Sequence, residues 1–154
     1  MEKGLKIQRG SGVEWFLSLY PLFLSDIHLH LGDLKNAQSL MDEALRLSQQ
    51  NNNKWIEGIS WMGLGRILGK METLHIDKAE EYILQGIKIS DELKLMPQCA
   101  LGYFFLGEFY AGVGQKEKAL ENLKNAETMF QEMGMDYWLA QVRAALEKLT
   151  DEKE

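Results

Sequence analysis

Tyr103-Phe104-Phe105-Leu106-Gly107-Glu108-Phe109-Tyr110 and, after a glycine turn, Ala119-Leu120-Glu121-Asn122-Leu123-Lys124-Asn125-Ala126-Glu127-Thr128-Met129-Phe130 decide the fold. Both halves read as helices, because apolar residues return every three or four positions and no proline interrupts either. A glycine inside a helix gives up roughly 1 kcal/mol of propensity relative to alanine, so Gly107 calls for a packing reason, the close approach of a neighbouring helix. Ala119 and Ala126 stand seven residues apart with Leu123 between them, which puts two small residues and a large one on the same face of the second helix. Gly114, five residues before Ala119, stands where a tight or left-handed turn wants glycine. The unit is a hairpin of two closely packed helices.

The same unit recurs. Ala37 to Ser48 and Ala79 to Ser90 align with the stretch that opens at Ala119, so the period is 42 residues and then 40. The second small residue falls at Ala44, Gly86 and Ala126, and the large apolar one at Met41, Ile83 and Leu123. In the preceding helix Trp61-Met62-Gly63-Leu64-Gly65 matches 103–107, with Gly65 in the place of Gly107. Gly65 to Ala79 spans 14 residues where Gly107 to Ala119 spans 12, which predicts a longer turn within 70–77. The first unit departs from the pattern in its first helix, where Pro21 takes the aromatic slot and Ser25 the glycine slot. Its helix is expected to start at, or kink near, Pro21.

At the beginning of the chain Gly4-Leu5-Lys6-Ile7 matches Ala44-Leu45-Arg46-Leu47 and Gly86-Ile87-Lys88-Ile89, again one period away, which predicts a helix remnant of a preceding repeat. At the other end Asp136 to Leu149 continues as one amphipathic helix, with Trp138, Leu139, Val142, Leu146 and Leu149 on one side and Glu147 where the small notch would be. A terminal cap has that character. The expected organisation is all-α, with seven or eight helices and no sheet: a remnant helix at 1–12, hairpins at 13–52, 53–95 and 96–135, and a capping helix at 136–150.

Composition agrees. A chain of 154 residues with 45% hydrophobic residues can bury a core of its own. A net charge of -6 and a pI near 5.2 argue against a nucleic-acid partner, whose phosphates are met by basic patches. One cysteine, Cys99, excludes an intrachain disulfide framework, and an unstapled helical chain fits a reducing, cytoplasmic setting. Met1-Glu2-Lys3-Gly4 lacks the apolar core of a signal peptide, and the apolar run from Leu17 to Leu24 is too short to span a bilayer, so neither secretion nor a membrane is expected.

Gly63-Leu64-Gly65-Arg66-Ile67-Leu68-Gly69-Lys70 superficially resembles a phosphate-binding loop, yet it lies within a helix and no hydroxyl residue follows Lys70. Asp26, His28 and His30 form a D-x-H-x-H run. On a helix Asp26 and His30 share a face while His28 points about 200° away, so the three do not converge on a metal. Cys99 opens a helix, where its thiol pKa could be lowered, but no base accompanies it, and a buried thiol is the expectation. The carboxylates, Glu80, Glu81, Glu117 and Glu121 among them, read as solvated faces. Neither an enzyme nor a metal or cofactor site is expected.

Tyr103, Leu106, Gly107, Tyr110, Ala119, Leu123 and Ala126 together resemble the tetratricopeptide repeat motif, and Trp61, Leu64, Gly65, Ala79, Ile83 and Gly86 give a second instance. The period exceeds the roughly 34 residues of the common repeat. With Trp55 before 61–68 and Gly134-Met135-Asp136 leading into the last helix, the chain is similar to long-period arrays that follow nucleotide-cyclase and AAA-type ATPase domains in prokaryotic signalling proteins. It is also similar to arrays in ATP-dependent transcription activators.

The resemblance implies a right-handed α-α superhelix of hairpins closed by a capping helix, whose first helices line a concave groove. That groove would be formed by Leu22 and Asp26, by Ile59, Met62, Arg66 and Lys70, and by Leu101, Phe104, Glu108 and Ala111. Chaperone-binding members grip a carboxylate with Lys, Asn and Arg at such positions, but here Leu22 and Asp26 occupy them, which argues against that partner. The implied function is docking of a protein or peptide segment, with Met62 and Phe104 either anchoring it or packing between adjacent repeats. Self-association through an exposed repeat edge, giving a homodimer, is the alternative.

Overall fold

The computed structural model describes residues 14–71 and 76–152, apart from the side chains of residues 14–16. Seven helices follow one another: α1 Glu14–His30, α2 Leu34–Gln50, α3 Lys54–Lys70, α4 Ile76–Glu92, α5 Met96–Gly112, α6 Lys116–Met133 and α7 Asp136–Asp151. Among the described residues there is no strand. The helix expected at 1–12 and most of the longer turn expected within 70–77 lie outside the described residues.

Each helix packs on its neighbours in sequence. Beyond these, α1 touches α3, α3 touches α5 and α5 touches α7, whereas α2, α4 and α6 make no such contacts with one another among the described residues. The chain is therefore a two-layer array of helical hairpins, an α-α superhelical repeat. The first helix of each hairpin (A: α1, α3, α5, with α7 continuing the layer) stands on the closely spaced side, and the second (B: α2, α4, α6) on the spread side. A core runs from Met62 through Ile83, Phe104 and Leu123 to Val142, and a second cluster joins Ala37, Met41 and Leu45 of α2 to Leu64 and Ile67 of α3.

Small residues set the spacing of each hairpin. Ala37, Ala44, Ala79, Gly86, Ala119 and Ala126 are all buried. A Cβ on Gly65 would sit 2.5 Å from Ile83 Cγ1 and 2.6 Å from the Ala79 carbonyl oxygen, and one on Gly86 would sit 2.5 Å from the Gly58 carbonyl oxygen. On Gly107 it would meet Leu123 Cγ at 2.6 Å. Ser25 fills the glycine slot of α1 in its own way: it is fully buried, and its Oγ donates to the Ala37 carbonyl oxygen at 2.6 Å.

Turns follow the same period. Inside two hairpins the chain reverses at Gly32 and Gly114, with φ +79° and +80°. Between hairpins it reverses at Asn52, Lys94 and Gly134, with φ +53°, +58° and +67°. The A helices begin two residues later, at 54, 96 and 136, and α1 begins at 14, so the layer keeps the spacings 40, 42 and 40 throughout. One expectation needs correcting: α1 does not start at Pro21 but begins at Glu14 and continues across it to His30. Packing against α2 and α3 holds the helix together through the missing amide hydrogen bond.

Candidate functional site

A layer whose helices touch lies on the tighter side of a curved array, so the A helices form the inner face. Along it one register position is occupied in turn by Asp26, Arg66, Glu108 and Lys148, at the spacings of the A helices themselves. The signs alternate. At the centre Arg66 Nη2 lies 3.3 Å from Glu108 Oε1, and Lys70 Nζ lies 3.9 Å from Glu108 Oε2, which ties α3 to α5. The Arg66 guanidinium also covers the Phe105 ring, 4.3 Å from its centroid. Both members of the central pair are mostly buried, and Arg66 Nε and Glu108 Oε1 have no hydrogen-bond partner among the described residues.

The structure distributes the sequence-predicted groove residues unevenly. Asp26 is exposed at one end, beside His30, whose Nδ1 lies 3.6 Å from Asp26 Oδ2. Leu22 is half-buried against the α2–α3 cluster, and Ile59, Leu101 and Ala111 are half-buried on the main core. Met62 and Phe104 are buried within that core, and Phe104 makes ring contacts with Phe105 and Trp138 at centroid distances of 6.0 and 6.1 Å. They lie beneath the inner face, packed between repeats. Arg66, Lys70 and Glu108 are the residues brought together.

Beyond Glu108 the face opens into a cleft of about 280 Å³ between α5 and α7. Glu108, Ala111 and Gly112 border it on one side, Ala145, Lys148 and Glu152 on the other, and Leu123 lies among its lining residues. Sequence reasoning missed Lys148, Glu152 and the Phe105 platform. The signal for Lys148 lies in the sequence, since one period of 40 from Glu108 lands on it.

The remaining chemical motifs resolve into structure. The glycine-rich stretch 63–70 lies inside α3, with Gly63 facing the Met41 side chain and Gly69 facing Phe109. His28 turns away from Asp26 and His30 and places Nδ1 3.2 Å from Oδ2 of Asp33, the N-cap of α2. Among the described residues no three His, Cys, Asp or Glu side chains are grouped to hold a metal ion. Cys99 is buried, and burial followed by the charge of Asp91 pushes its thiol above the ordinary value, opposite to the lowering that a helix start would favour. No described helix is long and apolar enough to cross a membrane.

Compared with known families, residues 22–51 match the tetratricopeptide repeat. The matched stretch is the hairpin that departs most from the repeat pattern in its first helix. Among curated proteins none matches the chain.

Proposed function

We propose that the chain is an array of tetratricopeptide repeats, the family matched by residues 22–51 and one that generally mediates protein–protein interactions, and that its inner face docks a segment of another protein, extended or as an amphipathic helix. The observation that carries this reading is the alternating row Asp26, Arg66, Glu108, Lys148 beside a small-residue cleft. Such a row has no net sign, so it selects a segment by register and shape rather than by bulk charge. Leu22, Ile59 and Leu101 supply half-buried apolar surface beside it, and Met62 and Phe104 form its floor. Arg66 and Glu108 leave hydrogen-bonding atoms unpaired at the centre, a burial cost that a partner able to realign the pair removes. The module acts in the cytoplasm as a non-catalytic part of a larger signalling or regulatory protein, restraining or sensing on behalf of a catalytic domain.

A peptide library selected on the intact chain tests the docking face. Peptides that use it lose about ten-fold in affinity on the Lys70→Glu/Lys148→Glu variant, whose helical circular dichroism stays unchanged, as expected for about 1.4 kcal/mol of lost contact. Equal affinity for both chains rejects the face. The second reading, a self-association element, draws on one observation, the apolar outer side of α1. A molecular mass by light scattering that stays at one chain across concentration removes it.

A further inference from the structure

The B helices stand apart, and α2, α4 and α6 make no contact with one another among the described residues. Each gap between two of them is a groove on the outer face, floored by the A helix beneath. In the groove between α4 and α6 the floor residue is Tyr110. Its Oη donates to Glu80 Oε1 of α4 at 2.5 Å, and Lys118 Nζ of α6 lies 5.1 Å from its ring centroid, so a phenol stands between an acceptor on one wall and a cation on the other. One hairpin earlier the counterparts of Glu80, Tyr110 and Lys118 are Gln38, Leu68 and Lys78, at offsets of 42, 42 and 40 residues. The phenol is missing there, and a cavity of about 130 Å³ lies among Gln38, Asp42, Leu64, Leu68, Lys78 and Tyr82.

The walls kept their polarity when the floor lost its ring. Lys78 remains the cation, and Gln38 remains an acceptor. Asp42 adds a carboxylate one turn further along the same face of α2, where the filled groove has Leu84. Neither Gln38 nor Asp42 has a hydrogen-bond or ion-pair partner among the described residues. Burial pushes the Asp42 carboxyl above its ordinary value, so this carboxylate gains from a donor brought to it. Leu64 and Leu68 are buried and give the cavity an apolar floor, and Tyr82, held against Trp61 at a centroid distance of 4.9 Å, adds an aromatic wall. The space suits one ring, since a cavity of roughly 150 Å³ takes a benzene. We propose that this outer cavity between α2 and α4 binds the phenol of a tyrosine presented by a partner segment, with the hydroxyl donating to Asp42 or Gln38 and Lys78 covering the ring, as Glu80 and Lys118 hold Tyr110 within the chain.

Titration of the full, isotope-labelled chain with p-cresol, followed by amide shifts in NMR, tests the proposal. Shifts are expected around Gln38, Asp42 and Tyr82 with a dissociation constant of about 1 mM, ordinary for a ligand of one ring. The methyl ether of p-cresol, which has no hydroxyl to donate, binds about five-fold more weakly. In the Gln38→Ala/Asp42→Ala variant, altered only at polar positions outside the core, that preference for the hydroxyl disappears. Leu68→Tyr, which rebuilds the arrangement of the next groove, abolishes binding while helical circular dichroism is kept. The proposal is overturned by an absence of shifts at about 10 mM p-cresol, by equal affinity for the ether in the wild-type chain, or by a hydroxyl preference that survives in Gln38→Ala/Asp42→Ala. N-acetyltyrosine amide should bind as p-cresol does, and its exclusion assigns the cavity to free phenols and overturns the partner segment. The Lys70→Glu/Lys148→Glu variant binds p-cresol unchanged, so this outcome is separate from that of the inner face.

Discussion

Gly65 shows how much a single side chain decides. Its missing Cβ lets α3 lie against the backbone of α4, and a methyl group there would press on the Ala79 carbonyl oxygen and the Ile83 amide nitrogen at 2.6 and 2.9 Å, atoms that cannot swing aside. Gly65→Ala is expected to destabilise the chain by about 2 kcal/mol in spite of its better helix propensity, and Gly107→Leu by more, because overpacking a close-packed interior forces backbone shifts. Urea denaturation measures both, and a loss under about 0.5 kcal/mol for Gly107→Leu contradicts the hairpin register. The glycine slots were legible in the sequence because a helical glycine is costly without a reason. Ser25 was not. It breaks the letter of the pattern, and only the folded hairpin shows its hydroxyl bonded to the carbonyl oxygen that glycine would otherwise let approach. Met62 and Phe104 illustrate another limit of pattern: α3 and α5 are apolar on nearly every side, so periodicity could not tell their groove side from their core side.

At the scale of elements, the turns carry the period as firmly as the helices do. Asn52, Lys94 and Gly134 share one left-handed conformation, which costs an L-residue roughly 1–2 kcal/mol in its helical form and glycine almost nothing. Lys94 is the bulkiest of the three, and no special local bonding by its side chain is evident. Lys94→Gly is therefore expected to raise stability by about 0.5 kcal/mol, after the greater freedom of glycine in the unfolded chain is subtracted, and the melting temperature by about 2 °C. A calorimetric scan that shows a lower melting temperature refutes this. The positions of Gly32 and Gly114 could be read from the sequence, while the same backbone state at Asn52 and Lys94 could not, because neither residue announces it.

At the scale of the whole molecule, an array of hairpins is stabilised by the junctions between neighbours. Tyr110 of α5 reaches back to α4, its Oη donating to Glu80 Oε1 at 2.5 Å. Burial, then this hydrogen bond and the Glu80 charge, push its pKa from 10.0 up to about 12. A pKa raised on folding means that the contribution of the neutral phenol is complete below about pH 10, the unfolded value, and is lost as the pH rises through about 12. Wild-type stability is thus expected to fall between those limits relative to Tyr110→Phe, whose curve lacks this component. Parallel slopes for the two chains in urea unfolding at pH 9.5, 10.5 and 11.5 would show that the junction does not couple to ionisation.

The sequence by itself determined that this protein is an all-helical array of paired helices with a period near 40. Period, small-residue notches and turn glycines are local signals, each imposed by backbone sterics at a single position. Only the tertiary structure decided which sides of α3 and α5 are buried, that Arg66 closes onto Glu108 and Phe105, and that Lys148 extends the charged row. Those facts depend on how far apart neighbouring helices settle once their side chains have filled the space between them, a property of the packed whole that no stretch of residues carries alone.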